Sequence, residues 1–279
     1  MTLPAHWIDL QPGNTVPVED RAYRYGESLF ETLRYHRGCY HLLPAHLERL
    51  ARGCSRLGLE YPEQQLQRQL ELARTFLEEN QHLQAGVRLT LSRLGAEPGY
   101  TPHGTAIRLA ASLTPISLGW REHLPPAYMI TCETRLAEQP ALAGIKHGNR
   151  LEQVLAASEI SASGADEGLL LNMAGEVICA SSSNIFAVFD GSLVTPDLSR
   201  CGIAGTVRSF ILSQSSLAGR VAEAALSVAD LQQAEEVFLT NALIGVRSVA
   251  ECVGRGFTST AVADKVRQEF YHHAESSGQ

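Results

Sequence analysis

The chain has 279 residues, 44% of them hydrophobic, and a formal net charge of −7 from 23 Lys and Arg against 30 Asp and Glu. That length provides for about two domains of roughly 150 residues, each able to bury a core. An acidic balance disfavours general binding to nucleic acid or anionic membrane, and no run of about 18 apolar residues is present to span a bilayer.

In chain order, residues 7–10 and 15–18 predict a short hairpin about Pro12-Gly13. A strand is predicted over 29–35, with Arg37-Gly38 turning into an extended 39–42. Pro44 opens a helix whose Leu47, Leu50, Cys54 and Leu57 fall at helical spacing until Gly58 stops it. A second amphipathic helix is expected over 62–79, and residues 86–93 and 105–113 alternate as strands. These elements make a first α+β domain, 1–115.

The second domain, 116–273, starts again with a strand over 128–132. A helix follows over 149–161, then strands over 167–172 and 183–189 around a Gly175 turn. A helix from about 204 to 217, a strand over 236–240 and a helix over about 261–272 complete it, and residues 274–279 are expected to be a disordered tail.

The six cysteines are scattered, with no CxxC pair and no zinc-like spacing, so reduced and mostly buried thiols are expected. His36, Cys39, His41 and His46 read as a strand and loop. The N-terminus has no basic segment leading into an apolar run, so no signal peptide is expected and the cytoplasm is the expected location.

Lysine occurs only twice, as Lys146 and Lys265, while arginine supplies the other 21 cations. Lys265 lies in a charged helical stretch and suits a solvated face. Lys146 stands in Leu142-Ala143-Gly144-Ile145-Lys146-His147-Gly148, among small and apolar residues, just before a predicted helix. Desolvation favours the neutral amine, the form that attacks a carbonyl, so Lys146 is a candidate Schiff-base lysine. A carbonyl cofactor bearing a phosphate needs an anion site. Gly202-Ile203-Ala204-Gly205 before a helix offers free amides and the positive end of a dipole, and Arg49 could add a guanidinium.

Asp20-Arg21, Gly26-Glu27-Ser28-Leu29-Phe30-Glu31-Thr32, His46-Leu47-Glu48-Arg49-Leu50, Lys146, Ser182-Ser183-Asn184-Ile185-Phe186 and Gly202-Ile203-Ala204-Gly205 with Arg208 occur in one order. That order resembles the fold type IV pyridoxal-phosphate enzymes, which include branched-chain and D-amino-acid transaminases and aminodeoxychorismate lyase. The resemblance covers about residues 7–270. It implies an α+β two-domain fold like that of D-amino-acid aminotransferase, with a smaller N-terminal α/β sandwich and a C-terminal pseudo-barrel α/β domain. It further implies pyridoxal 5′-phosphate carried by Lys146, with the phosphate held by Arg49 and the backbone of Ile203 and Ala204. Asn241 and Cys179 would also stand at the cofactor, which would lie between two domains of a homodimer.

Residues 143–154 and Thr240-Asn241-Ala242-Leu243-Ile244-Gly245-Val246 are similar to the lyase. The implied activity is cleavage of 4-amino-4-deoxychorismate to 4-aminobenzoate and pyruvate, on the route to folate. The two carboxylates of this small-molecule substrate would need arginines, for which Arg34, Arg93 and Arg150 are candidates. A transaminase for branched-chain or D-amino acids is the rival within the superfamily, and a non-catalytic homologue that keeps the fold is the rival of a different class; a globular domain without this cofactor does not explain the ordered motifs.

Three departures bear on the choice. Where relatives carry a glutamate for the cofactor's ring nitrogen, five residues before Asn184, this chain has Cys179, and Glu176 stands three residues too early. Residues 95–100 lack the arginine of the lyase's glycine-rich turn. Gly148 replaces a bulkier apolar residue.

Overall fold

Alternation along three central strands builds the first sheet. On β3 (Ser28–His36), β5 (Gln84–Arg93) and β6 (Ile107–Thr114), every second residue is buried, and all but Glu31 and Arg93 of them are apolar, including Leu29, Leu33, Val87, Leu89, Leu91, Leu109 and Leu113. That face packs against α2 (Leu43–Leu57) and α3 (Glu63–Glu79), as a half-buried sheet requires. The six-stranded sheet is completed by β1 (Ala5–Ile8), β2 (Gln11–Pro12) and β4 (Cys39–Tyr40), in the order β2-β1-β6-β5-β3-β4, and the short helix α1 (Arg21–Tyr25) leads into β3. Gly58 ends α2 in the left-handed conformation, φ 62°, and donates to Cys54 and Ser55 carbonyls.

In this computed structural model, residues 5–95, 97–214 and 221–276 are described. They fall into two compact units, one of residues within 5–120 with Ile145–Asn149, and the other of residues within Arg121–Gly144 with Arg150–Ser276. The sequence reading places residues 145–149 within 116–273. The structure counts them with the first unit because their backbone extends the edge of β3: Phe30 N–H donates to the Lys146 carbonyl at 2.9 Å, Leu29 bridges His147, and Gly148 N–H donates to the Ser28 carbonyl at 2.8 Å.

The second unit holds a nine-stranded sheet: β7 (Ala127–Leu136), β8 (Glu167–Asn172), β9 (Val177–Ala180), β10 (Asn184–Phe189), β11 (Ser192–Pro196), β12 (Val221–Ala224), β13 (Glu236–Asn241), β14 (Gly245–Cys252) and β15 (Arg255–Gly256). The order is β12-β11-β10-β13-β14-β7-β8-β9, with β15 on β14. Helix α4 (Leu151–Ser163) packs on β7 and β8, whereas α5 (Thr206–Ser213) and α7 (Ala261–Ser276) contact β13, which the short helix α6 (Val228–Leu231) precedes. Phe186 and Phe238 stack at 5.1 Å on the neighbouring strands β10 and β13.

Several boundaries differ from those expected. The first hairpin turns at Asp9-Leu10, both at positive φ, with Trp7 opposite Pro12, so Pro12-Gly13 lies outside the turn. Gly175 joins β8 to β9, and β10 is a further strand after it. Helix α5 starts at Thr206 and ends at Ser213, while residues 215–217 of the expected helix lie outside the described residues. Helix α7 continues through residues assigned to the tail, with Ala274 buried, and residues 277–279 lie outside the described residues.

Candidate active site

Within the first unit, Lys146 is positioned by backbone pairing with β3, and its Nζ lies 4.5 Å from the centre of the Phe30 ring. The segment's backbone is therefore fixed by hydrogen bonds while the amine rests against an aromatic face. Its charge also reaches His46, one residue of a buried ionic cluster.

That cluster joins β3 to α2. Arg49 Nε donates to Glu31 Oε1 at 2.8 Å, Arg49 Nη2 donates to Glu31 Oε2, and His46 Nδ1 meets the same Oε2 at 2.5 Å. His46 and Arg49 are three residues apart on α2 and thus share the face toward the sheet. Glu31 and His46 are 1% exposed and Arg49 is 4% exposed. Burial raises the Glu31 pKa, but hydrogen bonds and charge from Arg49, then His46, outweigh it and hold the carboxyl at about 2. Burial, the largest influence on His46, lowers its pKa despite Glu31. A neutral imidazole donating through Nδ1 fits that environment.

In the second unit, Gly144 N–H donates to the Gly202 carbonyl at 2.9 Å and Ala204 N–H to the Gly144 carbonyl at 3.2 Å. Asn184 fastens the same loop: its Nδ2 donates to the Ile203 carbonyl at 2.9 Å, and its Oδ1 accepts from Gly205 N–H at 3.1 Å. A Cβ at Gly205 would meet Asn184 Oδ1 at 2.0 Å, so glycine is needed for this close approach. Helix α5 begins immediately afterwards with no side-chain hydrogen bond at its Gly205 cap. Thr240 pairs with Asn184 across β13 and β10, and its buried Oγ1 has no hydrogen-bond partner. An uncapped helix start beside a fastened glycine loop and an unsatisfied hydroxyl is a donor set that fits a phosphate.

Asn241 organises the adjoining turn. Its Oδ1 accepts from Leu243 and Ile244 N–H groups, each at 2.9 Å, while Nδ2 donates to Ser182 O and Ser183 Oγ at 3.3 and 3.2 Å. Cys179, on β9, is buried with Cys132, Cys201, Ile178 and Leu198. Burial pushes its thiol up to about 12, with Cys201 and Glu167 adding and Arg150 opposing, so the group is a neutral thiol near neutral pH. Glu176 does not take its place, being bonded to Arg200 and Asn172.

The three candidate substrate arginines have different surroundings. Arg93 is 2% exposed and donates to Glu27 and to the carbonyls of Leu57, Gly58 and Gly104. Arg34, also 2% exposed, donates to Leu118 O and Gln84 Oε1 and lies over Trp120. Both guanidiniums fasten loops to the sheet: Arg93 gives every nitrogen to an acceptor in the fold, whereas Arg34 gives Nη2 and keeps a buried Nε without a hydrogen bond. Arg150 is half-buried at the N-cap of α4, and its charge acts on Cys179.

The structure also brings forward residues that sequence reasoning passed over. Glu31 and His46 lay inside quoted motifs, and the His-x-x-Arg spacing on one helix was the available signal. Asn184 served only as a landmark, although its two backbone bonds shape the glycine loop.

The amino-transferase class IV family pattern matches residues 28–252. An aminodeoxychorismate lyase of Vibrio harveyi is 32% identical over 249 residues, 88% of this chain and 90% of its own length. A D-alanine aminotransferase of Bacillus licheniformis is 25% identical over 251 residues, covering 88% of this chain and 86% of its own. Among solved structures, a 4-amino-4-deoxychorismate lyase from Pseudomonas aeruginosa superposes with a TM-score of 0.86 at 35% identity, over 96% of this chain and 98% of that one. From the ordered motifs, the mixed α+β fold and these matches, the chain belongs to the amino-transferase class IV family, the pyridoxal-phosphate enzymes of fold type IV.

Proposed function

We propose that this protein is an aminodeoxychorismate lyase, converting 4-amino-4-deoxychorismate to 4-aminobenzoate and pyruvate. The observation that carries this reading is its similarity to the Vibrio and Pseudomonas lyases over nearly the whole of both chains. Lys146 would carry pyridoxal phosphate. Arg49, the Ile203 and Ala204 backbone and the start of α5 would hold its phosphate, with Asn241 shaping the neighbouring turn. When bound, the cofactor supplies an electron-accepting ring for bond changes at the amine-bearing carbon.

Lys146 Nζ is the base that removes the proton from that carbon. Glu31 keeps Arg49 aligned through two hydrogen bonds, so the guanidinium does not reorganise as anions arrive. Cys179 offers the ring nitrogen a neutral, weakly donating thiol where relatives offer a carboxylate. Transamination depends on a strong electron sink and suffers most from that exchange. Forming an aromatic product supplies a driving force that transamination lacks, which favours the lyase reaction here. A cytoplasmic homodimer is the location and assembly that accompany this reading.

The test is a coupled assay of 4-aminobenzoate release by the purified protein with pyridoxal phosphate. Wild type is expected to be yellow and active, and Lys146→Ala colourless and inactive. Protein that takes up no pyridoxal phosphate would overturn the reading. Loaded protein that forms pyruvate only with amino-acid donors would make it a transaminase, and loaded protein without either activity a silent homologue.

A further inference from the structure

The first sheet has a second face, turned away from α2 and α3. On β3, β5 and β6 the alternation that sends Leu33, Leu89 and Ala111 toward the helices puts Phe30, Thr32, Arg88, Thr90, Ala110 and Ser112 on this side. None of the residues that these three strands place there is acidic. Arg88 is the one exposed residue of β5 and sits between Thr32 and Ser112, both half-buried.

The Arg88 guanidinium carbon lies 3.7 Å from the centre of the Phe30 ring, the ring that Lys146 Nζ approaches to 4.5 Å. The two cationic centres are therefore no further apart than those two distances combined. Among the described residues, Arg88 makes no ion pair and no hydrogen bond; its recorded contact is the Phe30 ring. Crowding by protein lowers its pKa, and no neighbouring charge compensates. Arg93, by contrast, gives Nε, Nη1 and Nη2 to acceptors within the fold, and Arg34 gives Nη2 to Leu118 and Gln84. A guanidinium flanked by hydroxyls, without a counter-ion and beside a second cation, favours an anion, and its planar fork matches a carboxylate.

We propose that Arg88 is the substrate-specificity residue, receiving the carboxylate that a cyclic amino substrate carries across the ring from its reacting amine. This rests on the lyase reading, and it names which of the chain's arginines recognises the acid. Phe30 holds the guanidinium over its face and so orients the fork. The hydroxyls of Thr32 and Ser112 stand beside the same anion.

The test uses pyridoxal-phosphate-loaded enzyme and measures dissociation constants for 4-aminobenzoate, 4-aminobenzamide and 2-aminobenzoate by calorimetry. Wild type is expected to prefer 4-aminobenzoate over both by roughly 10- to 100-fold, the range of a charge-assisted hydrogen-bonded pair. Arg88→Gln is expected to bind acid and amide alike, and Arg88→Lys to keep part of the preference. With the natural substrate, KM rises in Arg88→Gln more than kcat falls.

A wild type without the preference, or an Arg88→Gln variant that retains it, would overturn the proposal. So would an Arg88→Gln variant that keeps the preference but loses pyridoxal phosphate on dialysis, because the anion at Arg88 would then be the phosphate. Thermal melting controls for folding. The lyase reading fails separately, when wild type releases no 4-aminobenzoate while an Arg88-dependent preference persists.

Discussion

Glu31 and Arg49 form a two-pronged ion pair in the interior of the first unit, with Arg49 Nε 2.8 Å from Glu31 Oε1 and Arg49 Nη2 on Glu31 Oε2. Its signature is acid lability. The unfolded carboxyl has a pKa near 4.5 and the folded one about 2, so its stabilisation is complete above the unfolded value and is lost as pH falls toward the folded one. His46, whose pKa is lowered from 6.5 by burial, acts in the same direction, because the unfolded chain binds its proton first as pH drops. Denaturant melts are expected to show stability falling from about pH 6.5 downward and more steeply below about 4.5. Glu31→Gln, which leaves Arg49 uncompensated, is expected to cost about 3 to 5 kcal/mol near neutral pH and to flatten the lower limb.

Asn184 ties the Ile203 carbonyl and the Gly205 amide with one side chain. Asn184→Ala removes both bonds and leaves the loop before α5 unfastened. A loss of about 1 to 3 kcal/mol in stability is expected. Release of pyridoxal phosphate during dialysis, followed by visible absorbance, should be faster than in wild type; unchanged retention would show that the loop needs no fastening to hold the cofactor.

None of the six cysteines is in a disulfide, and Cys39 is the least buried of them. Brief maleimide treatment followed by peptide mapping should therefore label Cys39 first. Cys179, pushed up to about 12 by burial, should stay unmodified until the protein unfolds. Cys179→Glu is expected to raise amino-acid-dependent transamination by a larger factor than lyase turnover. An equal rise in both rates would remove the selective argument drawn from the thiol.

Gly148 sits where the fold leaves no room for a side chain. A Cβ there would meet Ser28 Oγ at 2.2 Å and the Gly26 carbonyl at 3.1 Å. Gly148→Ala is expected to destabilise by about 1 to 3 kcal/mol, as overpacking does. The double variant with Ser28→Ala should recover most of that loss, because the nearest obstacle is the Ser28 hydroxyl. Thermal melting of the two variants and wild type checks the pair.

Much of the fold was legible where periodicity was strong. The helix from Pro44 to Gly58 and the strand over 167–172 were marked by an apolar stripe with a glycine stop and by a continuous apolar run. The first hairpin was misplaced because Asp9 and Leu10 adopt positive φ without glycine, so no local signal marks them. Strand β14 went unread because its pairing with β7 and β13 is long-range and its sequence, Gly245–Cys252, mixes Arg, Ser and Glu with its apolar residues.

The order of motifs determined the family, and the lysine count added independent weight to Lys146, because imine chemistry needs a primary amine and arginine cannot replace it. Which arginines are spoken for was decided only by the tertiary structure. Arg93 reaches carbonyls 35 and 36 residues away in the chain, Arg34 reaches one 84 residues away, and Arg88, among the described residues, is left with the Phe30 ring and no carboxylate of its own. A guanidinium's task depends on which acceptors folding brings to it, and such long-range partners leave no trace in spacing or composition.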